Sequence, residues 1–185
     1  MMQENKQIQK HPIRKNQRLQ NYDYSQNGYY FVTICIHDKK EWFGKIENEK
    51  TVLNEYGEIV FKCWIDLPEH YKNIKLDEFV IMPNHVHGIV VIDNVGNGLV
   101  RNGLKPFPTN NHGLSEIIRG FKTFSSRRIN EKISDDIKFQ WQKSFYDHVV
   151  RDEKSLHDIR KYIQENPLKW GLDDVGNETV WYGTV

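Results

Sequence analysis

The segment Asn84-His85-Val86-His87-Gly88-Ile89-Val90-Val91-Ile92 places two histidines, one residue apart, inside an apolar run. In an extended run, side chains alternate between faces, so His85 and His87 share one face and Val86 takes the other. A separation of about 6–7 Å along the strand lets both imidazoles reach one metal ion. Two neutral imidazoles buried side by side are costly without a common partner, and a metal would supply one. The same spacing suits two core histidines bonded to backbone or to a carboxylate, and the pair alone does not choose. Cys35 and Cys63 form no C-x-x-C pair, which argues against a zinc site and for two buried, reduced thiols. Two histidines plus an oxygen donor suit Mg²⁺ or Mn²⁺, with positions left open for phosphate oxygens.

A second constellation lies in LHDIRKYIQENPLKW, where Tyr162 and Asn166 stand four residues apart and hence on one face of a helix. Leu156, Ile159 and Ile163 make the buried stripe, and Tyr162 and Asn166 lie at its flank. Gln164 falls on the far side, so Asn166 is the better third ligand. A tyrosine at a core edge is also an ordinary packing residue.

Several elements must position these groups. Tyr29 to Ile36 is rich in β-branched and aromatic residues and reads as a buried strand, and 42–46 reads as a short strand or edge. Tyr56, Ile59, Val60, Cys63 and Trp64 recur at helical spacing, predicting a helix over 54–67 stopped by Pro68. Phe79–Met82, the Pro83-Asn84 break and His85–Ile92 read as strand, break, strand, the second belonging in the middle of a covered sheet. Residues 93–113, rich in Gly, Asn and Pro, predict a long flexible loop. An amphipathic helix follows over 114–130, then a strand over 145–150 and a helix over 153–166 closed by Pro167. Trp170, Trp181 and Tyr182 suit a tail that packs back on the domain. The order predicts an α+β domain built on an antiparallel sheet.

At 185 residues the chain suits one domain, here residues 21–185, preceded by a flexible basic arm over 1–20. The arm carries Lys6, Lys10, Arg14, Lys15 and Arg18 against Glu4 alone. Arg119, Lys122, Arg127 and Arg128 form a second basic group in the predicted helix. Clustered base on a chain of net charge +1 suits a nucleic-acid face as well as an ordinary solvated one. No apolar run approaches the ~20 residues that span a bilayer, and the start lacks a secretory h-region, so a cytoplasmic protein without a membrane partner is expected.

IMPNHVHGIVVI, LSEIIRGFKTFSSRRIN and FYDHVVRDEKSLHDIRKYIQENPLKW together resemble the REP-associated tyrosine transposases. These group with the single-tyrosine, IS200-like transposases of the HUH endonuclease superfamily. GYYFVTICIHDKKEWFG and LNEYGEIVFKCWIDLPEHY extend the resemblance to roughly residues 20–172. It implies a ferredoxin-like α+β core with His85 and His87 on a central strand and a C-terminal helix carrying Tyr162 as nucleophile. Asn166 stands where a polar third ligand is implied. Trp170 departs from the pattern, which has a small residue at that position in many relatives.

The implied chemistry is cleavage and rejoining of single-stranded or hairpin DNA through a 5′-phosphotyrosine link, with Mg²⁺ or Mn²⁺ on the histidines. Arg119, Lys122, Arg127 and Arg128 would hold phosphates, the basic arm could grip a hairpin stem, and Tyr29, Tyr30 and Trp141 could stack on bases, though packing suits the two tyrosines better. His148 and Asp152 are candidate bases for the phenol. The alternatives are an inactive nucleic-acid-binding module of the same fold and a metal-dependent nuclease that uses water. Monomer and homodimer are both compatible with the sequence.

Overall fold

The computed structural model describes residue 19 and residues 21–94, 112–133 and 137–170. Among them, the β-branched and aromatic run near the start forms strand β1, Gly28–Cys35. Two further strands, β2 (Gly44–Glu47) and β3 (Lys50–Leu53), make a separate hairpin. Helix α1 follows over Glu55–Ile65, its first turn capped by Asn54, whose side chain accepts from the backbone of Tyr56 and Gly57. Pro68 lies at the start of a second, short helix, α2 (Leu67–His70). Strands β4 (Ile74–Met82) and β5 (His85–Ile92) then pair across the Pro83-Asn84 turn. Helix α3 (Leu114–Asn130), strand β6 (Tyr146–Val150) and helix α4 (Glu153–Lys169) complete the described chain.

The four long-range strands form one antiparallel sheet in the order β4-β5-β1-β6. Counted as the first to fourth strands of the core, this is the 4-1-3-2 order of a ferredoxin-like domain, as expected. The histidine strand β5 is central, paired on both sides.

Alternation along the strands serves two cores. Tyr30, Val32, Ile34, Val86 and Val90 face α1 and α3 in the larger core, where Trp64 and Phe121 meet edge to face. Phe31 and Ile89 face the other way and are covered by Leu156, Ile159 and Ile163 of α4. Removing each such aliphatic side chain from water contributes about 1.5–3 kcal/mol, which is what docks α4 on the histidine face.

Three boundaries and one strand differ from the sequence reading. β4 begins at Ile74 and not Phe79, because a bulge between Leu76 and Phe79 breaks the apolar alternation. β3 is too polar and too short to stand out from its composition. Pro68 opens α2 and α1 has already ended at Ile65. Pro167 does not close α4, which runs to Lys169, since a proline in the last turn removes only one backbone donor from the ladder. Residues 95–111 of the expected loop, the arm up to residue 18 and the tail beyond 170 lie outside the described residues.

Candidate active site

β5 presents His85 and His87 on the face covered by α4, 7% and 0% exposed. His85 Nδ1 lies 2.7 Å from Asn84 Oδ1. An amide oxygen only accepts, so Nδ1 carries a proton, and in the neutral ring Nε2 keeps its lone pair. That Nε2 points at His87 Nε2, 3.0 Å away. On its other side, His87 Nδ1 lies 2.8 Å from the Thr33 hydroxyl. A hydroxyl can donate or accept, so Thr33 serves either tautomer of His87. With Nδ1–H donating to Thr33, both Nε2 lone pairs converge on one point.

Two imidazole nitrogens 3.0 Å apart are close enough that both could turn to one divalent ion. Burial, reinforced by the neighbouring His85, holds His87 well below the ordinary histidine range, so it stays neutral as a ligand must. Among the described residues no group of three His, Cys, Asp or Glu side chains could hold a metal. Asn166, the expected third ligand, is an amide carried by α4.

On α4, the Tyr162 hydroxyl lies 3.3 Å from His87 Nε2 and the two rings meet at 5.2 Å. Phe31 supports both, stacked on His87 and edge-on to Tyr162. Two turns later the Trp170 ring lies 5.8 Å from the His85 ring. Asn166, 4% exposed, stands one turn from each of these residues on the same side of the helix. The unexpected Trp170 thus closes the end of the site over His85.

Burial, then the positive charge of Arg151, lowers the pKa of His148. β6 is in register with β1 so that His148 pairs with Phe31 and shares its face. Asp152 is the N-cap of α4 and accepts from Ser155 N. Ten residues of helix put it about 15 Å from Tyr162, which removes it as the base.

The basic group of α3 lies elsewhere. α3 packs on the opposite face of the sheet, so Arg119, Lys122, Arg127 and Arg128 are not brought to the histidines. Arg127 pairs with Glu131 and lies over Phe124, and Arg128 reaches Cys63 Sγ and Asp66. Lys122 donates to the carbonyls of Gln142, Lys143 and Ser144, and burial lowers its pKa to about 8. Arg119 and Lys122 line an open groove together with Lys138 and Lys143. Trp141, 7% exposed, donates to Ser125 Oγ and Tyr30 is fully buried, so neither is a platform for bases. Cys35 and Cys63 are buried free thiols, as expected. Lys10, Arg14, Lys15 and Arg18 lie outside the described residues.

Sequence reasoning passed over Thr33 and Asn84. The signal for Thr33 was a lone hydroxyl in an apolar strand, and for Asn84 its place directly before His85.

Comparison with known proteins points the same way as the geometry. The family described as "Transposase IS200 like" matches residues 107–166. An uncharacterized protein of Haemophilus influenzae is 38% identical over 88% of this chain and 92% of its own. A second H. influenzae protein, assigned by name to the REP-associated tyrosine transposases, is 25% identical over 83% of this chain and 77% of its own. A solved structure of a REP-associated tyrosine transposase bound to a REP hairpin superposes with a TM-score of 0.52 at 17% identity. It covers 84% of this chain and 75% of that chain, and it shows likeness of fold.

Proposed function

This chain belongs to the IS200-like transposase family, and from that premise we propose that it cleaves and rejoins single-stranded or hairpin DNA with Tyr162 as nucleophile. The observation that carries the reading is the Tyr162 hydroxyl beside the paired histidines, 3.3 Å from His87 Nε2. Tyr162 Oη attacks the scissile phosphorus, an O–P bond forms, and the bond to the 3′ oxygen breaks. The products are a 5′-phosphotyrosine and a 3′-OH, which takes up a proton. The phenol releases its proton to water or to His148. Because the ester keeps the phosphate activated, a 3′-OH of another strand can reverse the step.

His85, His87 and Asn166 would hold Mg²⁺ or Mn²⁺, which supplies Lewis-acid polarisation of the phosphate when bound. The protein's own part is to align the phenol, keep the buried His87 neutral, and close the site with Phe31 and Trp170. Arg119, Arg127 and Arg128, with Lys10, Arg14, Lys15 and Arg18 of the arm, would hold phosphates. Lys122 would join them only by releasing its carbonyl partners. Base on α3 and chemistry under α4 suit a substrate with two parts, a stem on one face and a single strand on the other. Monomer and homodimer, with Tyr162 acting in cis or in trans, both fit this chemistry. No helix among the described residues is long and apolar enough to cross a membrane.

The test is a labelled hairpin with single-stranded flanks, incubated with Mn²⁺ or Mg²⁺ and run on a denaturing gel. A slower, metal-dependent band that disappears for Tyr162→Phe is expected. Cleavage without an adduct that survives Tyr162→Phe would mean a nuclease using water. Binding of several hairpins with no cleavage would favour the inactive module. Adduct recovered on mixing Tyr162→Phe with His87→Ala would mean a dimer that exchanges α4.

A further inference from the structure

The apolar underside of α4 fixes its distance from the sheet but not its rotation or register, because hydrophobic contact has no direction. A small roll of the helix would keep Leu156, Ile159 and Ile163 covered and still carry Tyr162 away from His87. Besides the Tyr162–His87 contact itself, one paired contact opposes such a roll. Arg160 binds Asp77 of β4 through two parallel bonds, Nε to Oδ1 at 2.8 Å and Nη2 to Oδ2 at 2.5 Å. Paired bonds of this fork geometry set orientation as well as distance.

The surroundings are arranged for this contact. Leu76 pairs with Val90 and Phe79 with Gly88, so Asp77 and Glu78 together oppose the single residue Ile89, as in a β-bulge. The bulge keeps Leu76 and Phe79 both in the larger core while it turns Asp77 toward α4. The Asp77 carboxylate is only 16% exposed and also accepts from Glu78 N at 2.7 Å. The Arg160 guanidinium beside it holds its carboxyl below the usual range. At 100° per residue, Arg160 and Tyr162 leave the helix on opposite flanks of the Ile159/Ile163 stripe. Arg160 anchors the flank over β4, and Tyr162 the flank over β5 and β1.

We propose that the Asp77–Arg160 pair is a positioning device for the DNA-cleavage reaction, fixing the rotation of α4 so that Tyr162 Oη stands over the His85/His87 pair. It rests on the reading of Tyr162 as nucleophile. Neither residue touches the reacting atoms, so the pair acts through Tyr162. Displacement of an attacking atom by about 1 Å costs on the order of 10²-fold in rate.

The experiment compares wild type with Arg160→Met, Asp77→Asn and the double variant. It measures single-turnover adduct formation at saturating hairpin DNA, and the DNA Kd separately. Each single variant is expected to slow the adduct step on the order of 10²-fold with Kd unchanged. The double variant should be no slower than either single, because one interaction is lost once. Lys161→Met, which breaks only the exposed Lys161–Glu165 pair, should react like wild type. Wild-type rates in the single variants, an equal loss in DNA affinity, or multiplying losses in the double variant would overturn the proposal.

A second readout needs no activity. Among the nine tyrosines, labelled as 3-fluorotyrosine, the Tyr162 ¹⁹F resonance is identified by its loss in Tyr162→Phe. It should move toward the free amino-acid position in Arg160→Met and stay in Lys161→Met; an unmoved resonance in Arg160→Met would overturn the positioning role. If wild type forms no adduct, the proposed chemistry fails while this shift still decides whether the pair holds Tyr162.

Discussion

Thr33 and His87 are direct register partners across the β1–β5 ladder, and the Thr33 hydroxyl lies 2.8 Å from His87 Nδ1. Thr33 is 3% exposed, so water cannot replace it. The contact ties up Nδ1 and leaves Nε2 to face His85 and Tyr162. Thr33→Val keeps the shape of the side chain and removes the hydroxyl. Loss of such a hydrogen bond behind a ligating imidazole weakens metal binding by about 10–100-fold. Titration of Mn²⁺ into both proteins by calorimetry checks this, and equal affinities would mean that His87 does not bind through Nε2. The stranded Nδ1, donor or acceptor, should also lower stability by about 1–3 kcal/mol, read as a lower urea midpoint.

Asn166 separates a ligand from a packing residue. Asn166→Leu has nearly the same volume, no oxygen, and suits a buried position. If Asn166 completes the ligand set, Mn²⁺ affinity should fall about tenfold or more, while the metal-free protein melts no lower than wild type. Asn166→Asp should tighten Mn²⁺ binding, because an ionised oxygen suits a hard cation better than an amide. Unchanged Mn²⁺ affinity in both variants would assign Asn166 to packing alone.

The architecture was legible where patterns were strong. The apolar strands β1 and β5 and the amphipathic α3 announced themselves through periodicity. The alternation of His85, Val86 and His87 by itself assigns the histidines to one face. Tyr162 and Asn166 were set on a common flank by their i, i+4 spacing. What stayed hidden depends on contacts distant in sequence. Asp77 lies 83 positions from Arg160, and its place in a bulge disguised the start of β4 as polar loop. Which sheet face α3 would cover is a matter of tertiary packing. Hence the basic cluster of α3 was readable as a cluster, but its separation from the histidines was not. Trp141 resembled a base-stacking aromatic until burial and the bond to Ser125 showed its role.

Acid should weaken the fold through His87. Its folded pKa lies well below the ordinary value of 6.5 because the ring is buried beside His85. The unfolded chain therefore binds a proton that the folded chain refuses, starting near pH 6.5. The sign follows: stability rises with pH through this window and is lost as pH falls below it, by up to about 1.4 kcal/mol per pH unit from this group. Denaturant melts of metal-free protein between pH 7.5 and 5 read the slope. His87→Phe removes the titrating group and should flatten the curve, so an equal slope in the variant would place the acid sensitivity elsewhere.

Gly88 makes the last test one of packing directly behind the histidines. A Cβ built on it would come within 2.4 Å of Trp64 Cζ2 and 3.1 Å of Phe79 Cβ. The indole cannot step aside, since Phe79 lies on it at 6.0 Å and Phe121 meets it edge to face at 5.2 Å, and Trp64 is fully buried. Gly88→Ala must therefore push β5 away from α1 or force the indole off its rotamer. Overpacking of this kind costs about 1–3 kcal/mol, a fall in Tm of several degrees for a chain of this size. Trp64→Phe gives up ring volume at that very contact. In the Trp64→Phe background, the added methyl should then cost much less than in wild type, a non-additivity expected for touching residues. Equal costs in the two backgrounds would show that the strand yields instead of the ring. In that event His87, next along β5, should shift with it and Mn²⁺ affinity should fall in parallel.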